Sequence, residues 1–216
     1  MSDRFKIELP RIQSNLEKVN FQDVYNEEEP NLMDGMISNA FVDNAEIQRL
    51  TLSRVSFKSS RLLQSTFKKV DMMDVIFENC DLSNTSFAEG IIHRVTFKNC
   101  KLLGMDFSNA YLKNIRFENC ILNFSEFVEA KLNQVLFDQS SLQSANYYDC
   151  KLNKVKFNQC DMNEIYFTLT ALNGIDISTC TFERINIDDI GNMRGCVISP
   201  EQAISFAALL GLKVKE

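Results

Sequence analysis

The sequence predicts an all-β solenoid: a rod of stacked coils, twenty residues and four faces to a coil, closed at its C-terminal end by a short α-helix. Three observations predict it. An apolar residue occupies every fifth position from Ile37 to Ile187, residue types sort again at a period of twenty, and a chain of 216 residues with 17 Phe holds only 7 Gly and 3 Pro. So few turn formers do not suit an ordinary hairpin-rich domain. A period of five matches neither the 3.6 of a helix nor the 2 of a strand, so the chain must turn a corner once in each unit.

The central run reads Phe57, Leu62, Phe67, Met72, Phe77, Leu82, Phe87, Ile92, Phe97, Leu102, Phe107, Leu112 and Phe117, without an insertion. If four units close a coil, residues twenty apart stack about 4.8 Å from one another, the spacing of paired strands, and like must fall on like. It does. Phe57, Phe77, Phe97, Phe117, Phe137 and Phe157 form one column and Phe67, Phe87, Phe107, Phe127, Tyr147 and Phe167 the opposite one, with columns of Leu between them. Two residues ahead of each centre a second set sorts the same way. Val55, Val75, Val95, Ile115 and Val135 share one face; Ser60, Cys80, Cys100, Cys120, Ser140, Cys160 and Cys180 share the next. These thiols read as small apolar filler of a narrow inner lane.

Three regions follow. Residues 1–36 hold a partial repeat around Leu16 and Phe21 and a polar capping loop at 26–30; residues 37–190 form the β-helix; residues 191–216 carry a dimerisation helix and tail. All three Pro fall outside 37–187, where a missing N–H cannot break the ladder between coils. Ser199-Pro200-Glu201-Gln202 is a capping box with Pro at the first helical position, and Gly211 is a C-terminal stop. Ile204, Phe206, Leu209 and Leu210 make this helix apolar over more than one face. It is expected to cover the last coil on one side and to meet a dyad-related copy through these four residues on the other, a simple cap on a monomer being the alternative.

The rod would run to roughly 37 Å over about 7.6 coils. A net charge of -6 and a pI near 5.0 argue against direct binding of nucleic acid. Charge is nonetheless sorted by face. The face of the Phe67 column has an excess of acids, with Glu89, Asp106, Glu126, Glu129, Asp149, Asp188 and Asp189; the adjacent Met72 face has an excess of bases, with Arg94, Lys113, Lys131, Lys151 and Lys154. A negative stripe on a rod offers a DNA-binding protein the electrostatics of a phosphate backbone; a merely solvated surface is the alternative. One His, no Trp and no C-x-x-C pair leave no material for a catalytic, metal or cofactor site, so no enzyme is expected. A charged N-terminus and short apolar runs point to a cytoplasmic protein with reduced thiols and no membrane partner.

In its small residue two before each Phe or Leu, as in SerAsnThrSerPhe at 83–87, the chain resembles the pentapeptide-repeat family. That resemblance implies a right-handed quadrilateral β-helix with four repeats per coil. The tail at 195–212, together with HisArgValThrPhe at 93–97 and TyrLeuLysAsnIleArgPheGluAsnCys at 111–120, is similar to the Qnr-type quinolone-resistance proteins, above all the chromosomal forms of Gram-positive bacteria. The resemblance implies a dimeric DNA mimic that binds DNA gyrase, with topoisomerase IV as a second candidate, and protects it from fluoroquinolones. Plasmid-borne members carry two projecting loops for which the unbroken register here leaves no room. A passive scaffold, or a self-protection protein against another topoisomerase-directed toxin, is the competing expectation.

Overall fold

The computed structural model describes residues 5–26, 28–209 and 211–214. They form a parallel β-solenoid of about eight turns with one short C-terminal helix. After β1 (Glu17–Lys18), β2 (Asn31–Met33) and β3 (Gly35–Ser38) come six strands of eight residues: β4 (Thr51–Lys58), β5 (Asp71–Glu78), β6 (Ile91–Lys98), β7 (Tyr111–Glu118), β8 (Lys131–Asp138) and β9 (Lys151–Asn158). Each pairs with the next in parallel at an offset of twenty, Phe57 on Phe77 and Phe77 on Phe97. The period of twenty read from the residue types is therefore the ladder register itself. β10 (Ile165–Tyr166) and β11 (Ile185–Asn186) form a separate two-stranded pair, and α1 (Pro200–Leu209) follows.

The corners answer the scarcity of glycine. Every fifth residue takes a positive φ near 55°, among them Arg54, Asn79, Asn99, Asn119, Gln134 and Glu164, so each eight-residue strand bends at its fourth residue and serves two faces. The left-handed conformation places Cβ against the carbonyl and is tolerated best by Asn and Asp; Asn is the commonest residue here, and no Val, Ile or Thr occupies such a corner. The other two faces are held by single bridges, Arg61 to Asp81 to Lys101 on one and Ser86 to Asp106 to Glu126 on the other.

Inside the rod the aromatic columns stack as the register requires. Phe77 and Phe97 lie 5.0 Å apart with rings 3° from parallel, and Phe117 and Phe137 lie 4.8 Å apart at 5°. Across the core the columns meet edge to face, as Phe107 meets Phe117 at 6.0 Å and 77°. The cysteine lane is buried, and its Cys80, Cys100, Cys120 and Cys160 thiols point at backbone: Cys100 and Cys120 donate to the carbonyls of Phe77 and Phe97, both at 3.4 Å. Hydrogen bonding with the neighbouring Cys120 thiol, and then burial, push Cys100 up to about 12, which suits filler and not a nucleophile.

The N-terminal region joins the rod earlier than the expected boundary at residue 37. The ladder begins ahead of Ile37, because Asn31, Leu32 and Met33 already pair with Thr51, Leu52 and Ser53. The open end is stopped by a short 3₁₀ helix, Phe21–Asn26, whose Phe21 is buried 6.3 Å from Phe57 and 6.0 Å from Phe67, so an aromatic plug caps the first coil; the polar loop expected at 26–30 includes residue 27, which lies outside the described residues. Residues 5–11 then run back along the outside of the rod as a strap across four coils. The amide of Arg11 donates to Asp74 at 2.9 Å, that of Glu8 to Asn114 at 3.2 Å, and Gln134 Nε2 donates to the Lys6 carbonyl at 2.7 Å.

At the other end α1 starts as predicted. Ser199 N donates to Gln202 Oε1 at 2.9 Å and Gln202 N to Ser199 Oγ at 3.2 Å, the reciprocal pair of a capping box. Gln202 also reaches down from the helix, its Nε2 donating to the carbonyls of Ile177 and Cys180, both at 2.8 Å, and so fastens α1 to the last coil. Gly211 takes a φ of +72° and ends the helical run.

Candidate protein-interaction face

The repeat sets five of the seven acids of the candidate face in two lanes; Asp188 and Asp189 follow where the regular corners end. Asp106 and Glu126 lie on consecutive bridges of one lane, and Glu89, Glu129 and Asp149 lie on left-handed corners three residues further along the chain. Side chains at the corners point away from the core; the strap covers those of Asp74 and Asn114, whereas Glu89, Glu129 and Asp149 are all exposed.

These acids are not equivalent. Glu89 is neutralised by Lys68 at 2.8 Å and Lys69 at 3.4 Å, and hydrogen bonding from Lys68 holds its carboxyl below the usual range. Asp106 accepts from Ser86 Oγ at 2.8 Å and from the Ser108 amide at 2.9 Å; Glu126 accepts from Asn146 Nδ2 at 2.8 Å. Asp188 accepts from the Leu169 amide at 3.2 Å, and Asp189 caps the 3₁₀ helix Ile190–Met193 through the Gly191 amide at 2.8 Å. Desolvation works against the Asp188 carboxylate, but backbone donors led by Leu169 outweigh it and lower its pKa. Glu129 and Asp149 have no side-chain partner among the described residues. Only Glu89 is matched by cations; the other acids keep their charge, and Glu129 and Asp149 in the middle of the stripe carry it on side chains with no hydrogen bond among the described residues.

Sequence reasoning missed three neighbours of that charge. Tyr148, Tyr166 and Leu169 are exposed on the same face, and Tyr148 and Tyr166 line a shallow depression of 330 Å³ with Glu126, Ser144, Asn146 and Thr168. The signal was present: Tyr166 stands where its lane otherwise reads Ser86, Asp106, Glu126 and Asn146, and a large aromatic at an outward position has no core to join.

The basic face is less basic than its sequence. Arg94 forms a nearly buried bidentate pair with Asp74, at 2.6 and 2.7 Å, with side chains 11% and 7% exposed. Burial opposes ionisation of Asp74, yet the Arg94 hydrogen bonds and the Arg11 amide of the strap prevail and lower its pKa. His93 beside it contacts Asn114 at 3.3 Å, and burial followed by repulsion from Arg94 and Lys113 lowers its pKa.

The four residues expected at a dimer surface separate. Ile204 is exposed; Phe206 is not available, being buried against Phe182 of its own rod with ring centroids 5.7 Å apart. Sequence could place Phe206 on the helix but not choose its side. The Leu209 side chain and the whole of Leu210 lie outside the described residues. No group of His, Cys, Asp and Glu suited to a metal ion occurs among the described residues, and no described helix is long and apolar enough to cross a membrane.

Among solved structures, HetL, a pentapeptide repeat protein involved in heterocyst differentiation regulation from the cyanobacterium Nostoc sp. strain PCC 7120, superposes with a TM-score of 0.62 at 15% identity, over 78% of this chain and 85% of HetL. Trypsin-treated QnrB1, a plasmid-mediated fluoroquinolone resistance protein, gives 0.46 at 16% identity over 86% and 99%. No curated protein matches the chain. The HetL likeness is one of fold alone. Two family models, a pentapeptide repeat region over residues 90–167 and pentapeptide repeats over 51–88, together account for more than half of the sequence, and the chain belongs to the pentapeptide-repeat family.

Proposed function

We propose that this protein is a non-enzymatic binding module whose acidic face occupies the DNA-binding surface of a type II topoisomerase, DNA gyrase first and topoisomerase IV second, and protects it from fluoroquinolones. The observation that carries this reading is the pair of unneutralised corner carboxylates, Glu129 and Asp149, held twenty residues and one coil apart on a rigid rod beside exposed Tyr148 and Tyr166. Carboxylates repeated along a straight lane supply the field that a cationic DNA-binding surface is built to meet, and aromatic side chains supply the desolvated anchors of a protein interface. Two copies joined through α1, with exposed Ile204 at the joint, would lengthen the stripe to the scale of a duplex segment.

The decisive assay is gyrase supercoiling with purified enzyme, titrated with this protein in the presence and absence of ciprofloxacin. Rescue in drug is the expected outcome. Inhibition without rescue keeps the mimicry and removes the protective role; no effect in either lane moves the protein to the scaffold class. Charge reversal at Glu129 and Asp149 is expected to weaken gyrase binding about tenfold or more while leaving the circular dichroism unchanged, since neither side chain supports the fold. Light scattering of Ile204→Asp, expected to be monomeric where the parent is dimeric, tests the joint separately.

A further inference from the structure

The acidic face changes character partway along the rod. At 84–89 and 104–109 its outward places hold Asn84, Ser86, Ala88 and Glu89, then Gly104, Asp106, Ser108 and Asn109, none of them large and apolar. At 124–129, 144–149 and 164–169 the same places include Phe124, Tyr148, Tyr166 and Leu169, all exposed. Phe124 and Leu169 stand at left-handed corners, with φ of 60° and 55°, a conformation in which bulky side chains are uncommon. A ring that is 60% exposed at such a corner, as Phe124 is, adds nothing to the core, so the fold supplies no reason for it. Four exposed apolar side chains on three successive coils of one face make a contiguous surface of the kind that meets a partner.

The depression of 330 Å³ lies within this surface, with Tyr148 and Tyr166 among its walls. Its other lining is rich in acceptors. Asn146 Nδ2 takes up Glu126 Oε2 at 2.8 Å, which leaves Glu126 Oε1 and the side-chain oxygens of Asn146, Ser144 and Thr168 to receive donors. Charge selects the occupant. Residues 121–129, 141–149 and 161–169 hold five acids, Glu126, Glu129, Asp149, Asp161 and Glu164, and no Lys, Arg or His, while Lys131 and Lys151 open the next face. A guanidinium meets each of these conditions, since its plane stacks on phenol rings, its five N–H groups donate and its charge answers the acids. An ammonium has the charge without the plane and is more strongly hydrated. We propose that the depression receives an arginine side chain from a basic segment of a partner protein, its guanidinium on the Tyr148 and Tyr166 rings and against Glu126, with Phe124 and Leu169 as apolar surroundings. The proposal rests on the reading of the acidic face as an interaction surface and names what that surface recognises; it does not require the partner to be a topoisomerase.

The test uses the full chain and a fluorescently labelled peptide, Gly-Arg-Gly-Arg-Gly-Arg-Gly, followed by anisotropy. Its counterparts carry lysine, or citrulline, which keeps the planar group and loses the charge, in place of arginine. Saturable binding of the arginine peptide is expected, weaker by about threefold or more with lysine and about tenfold or more with citrulline. Tyr148→Ser and Tyr166→Ser are each expected to weaken it about threefold or more with unchanged circular dichroism, since both rings lie outside the core. Glu126→Gln should cost more than Glu164→Gln, which removes the same charge outside the depression. Equal binding of the lysine peptide would mean no recognition of the guanidinium, and full binding by both Tyr variants would mean attraction by the stripe at large. Either result, equal losses at Glu126 and Glu164, or unchanged anisotropy up to about 1 mM protein overturns the proposal. The supercoiling assay fails separately: arginine-peptide binding without any effect on gyrase upholds the depression and sinks the topoisomerase reading, whereas rescue of gyrase by a protein that binds no arginine peptide overturns the depression alone.

Discussion

Between Thr51 and Asn158 each coil repeats the one before it: eight-residue strands, amides donated nineteen residues on as from Leu62 to Asp81, Phe on Phe. From Ile165 onward the same five-residue period continues in sequence, but the strands shrink to two residues, and from Leu172 the bonds reach twenty or twenty-one residues on, Leu172 to Asn192 and Gly174 to Gly195. The 3₁₀ helix Ile190–Met193 supplies the extra length. A coil cannot be in register with both β9 below and a longer coil above, and the ladder parts on the side of β9. Inward columns thus keep a solenoid filled, while equal coil length keeps it zipped; the C-terminal end retains the first and loses the second.

That contrast can be broken or sharpened by substitution. The largest effect is expected for Phe117→Ala, which removes a fully buried ring from the stacked column and should cost about 3–5 kcal/mol, measured by urea unfolding. Phe182→Ala at the looser end, where the ring is only partly buried against Phe206, should cost about 1–2 kcal/mol. Equal losses would mean that the two ends are packed alike. A corner change comes next: Asn119→Val places a β-branched residue at a φ of 52° and is expected to cost about 1–2 kcal/mol, whereas Asn119→Gly at the same site should be nearly neutral. A Val that costs no more than the Gly would remove the corner account. Smallest, and opposite in sign, is Tyr147→Phe. Its hydroxyl is buried in the Phe column with no hydrogen-bond partner among the described residues, so deleting it should stabilise the rod by about 1 kcal/mol or more, visible as a raised Tm.

Much of this was legible in the residues. The apolar fifth positions, the like-on-like columns at twenty and the capping box at Ser199 gave coil size, register and the start of α1, because each rests on local periodicity or on neighbours within one turn. The acidic lanes were legible too, since side-chain direction follows from position in the repeat. Their partners were not. That Lys68 and Lys69 close on Glu89, or that Asp188 turns to a backbone amide, depends on rotamers and distances between coils.

By itself the sequence determined what lies inside the rod and how often it turns, because burial of apolar side chains at a strict period admits one arrangement of faces. Only the tertiary structure decided how the chain ends meet that rod. The strap lies along Asp74, Asn114 and Gln134 through contacts separated by as many as 128 residues, Phe206 turns inward to Phe182, and residues 151–158 make no backbone hydrogen bond to residues 171–178. None of these carries a periodic signal, since each is a single long-range contact whose formation depends on the finished shape of the rod.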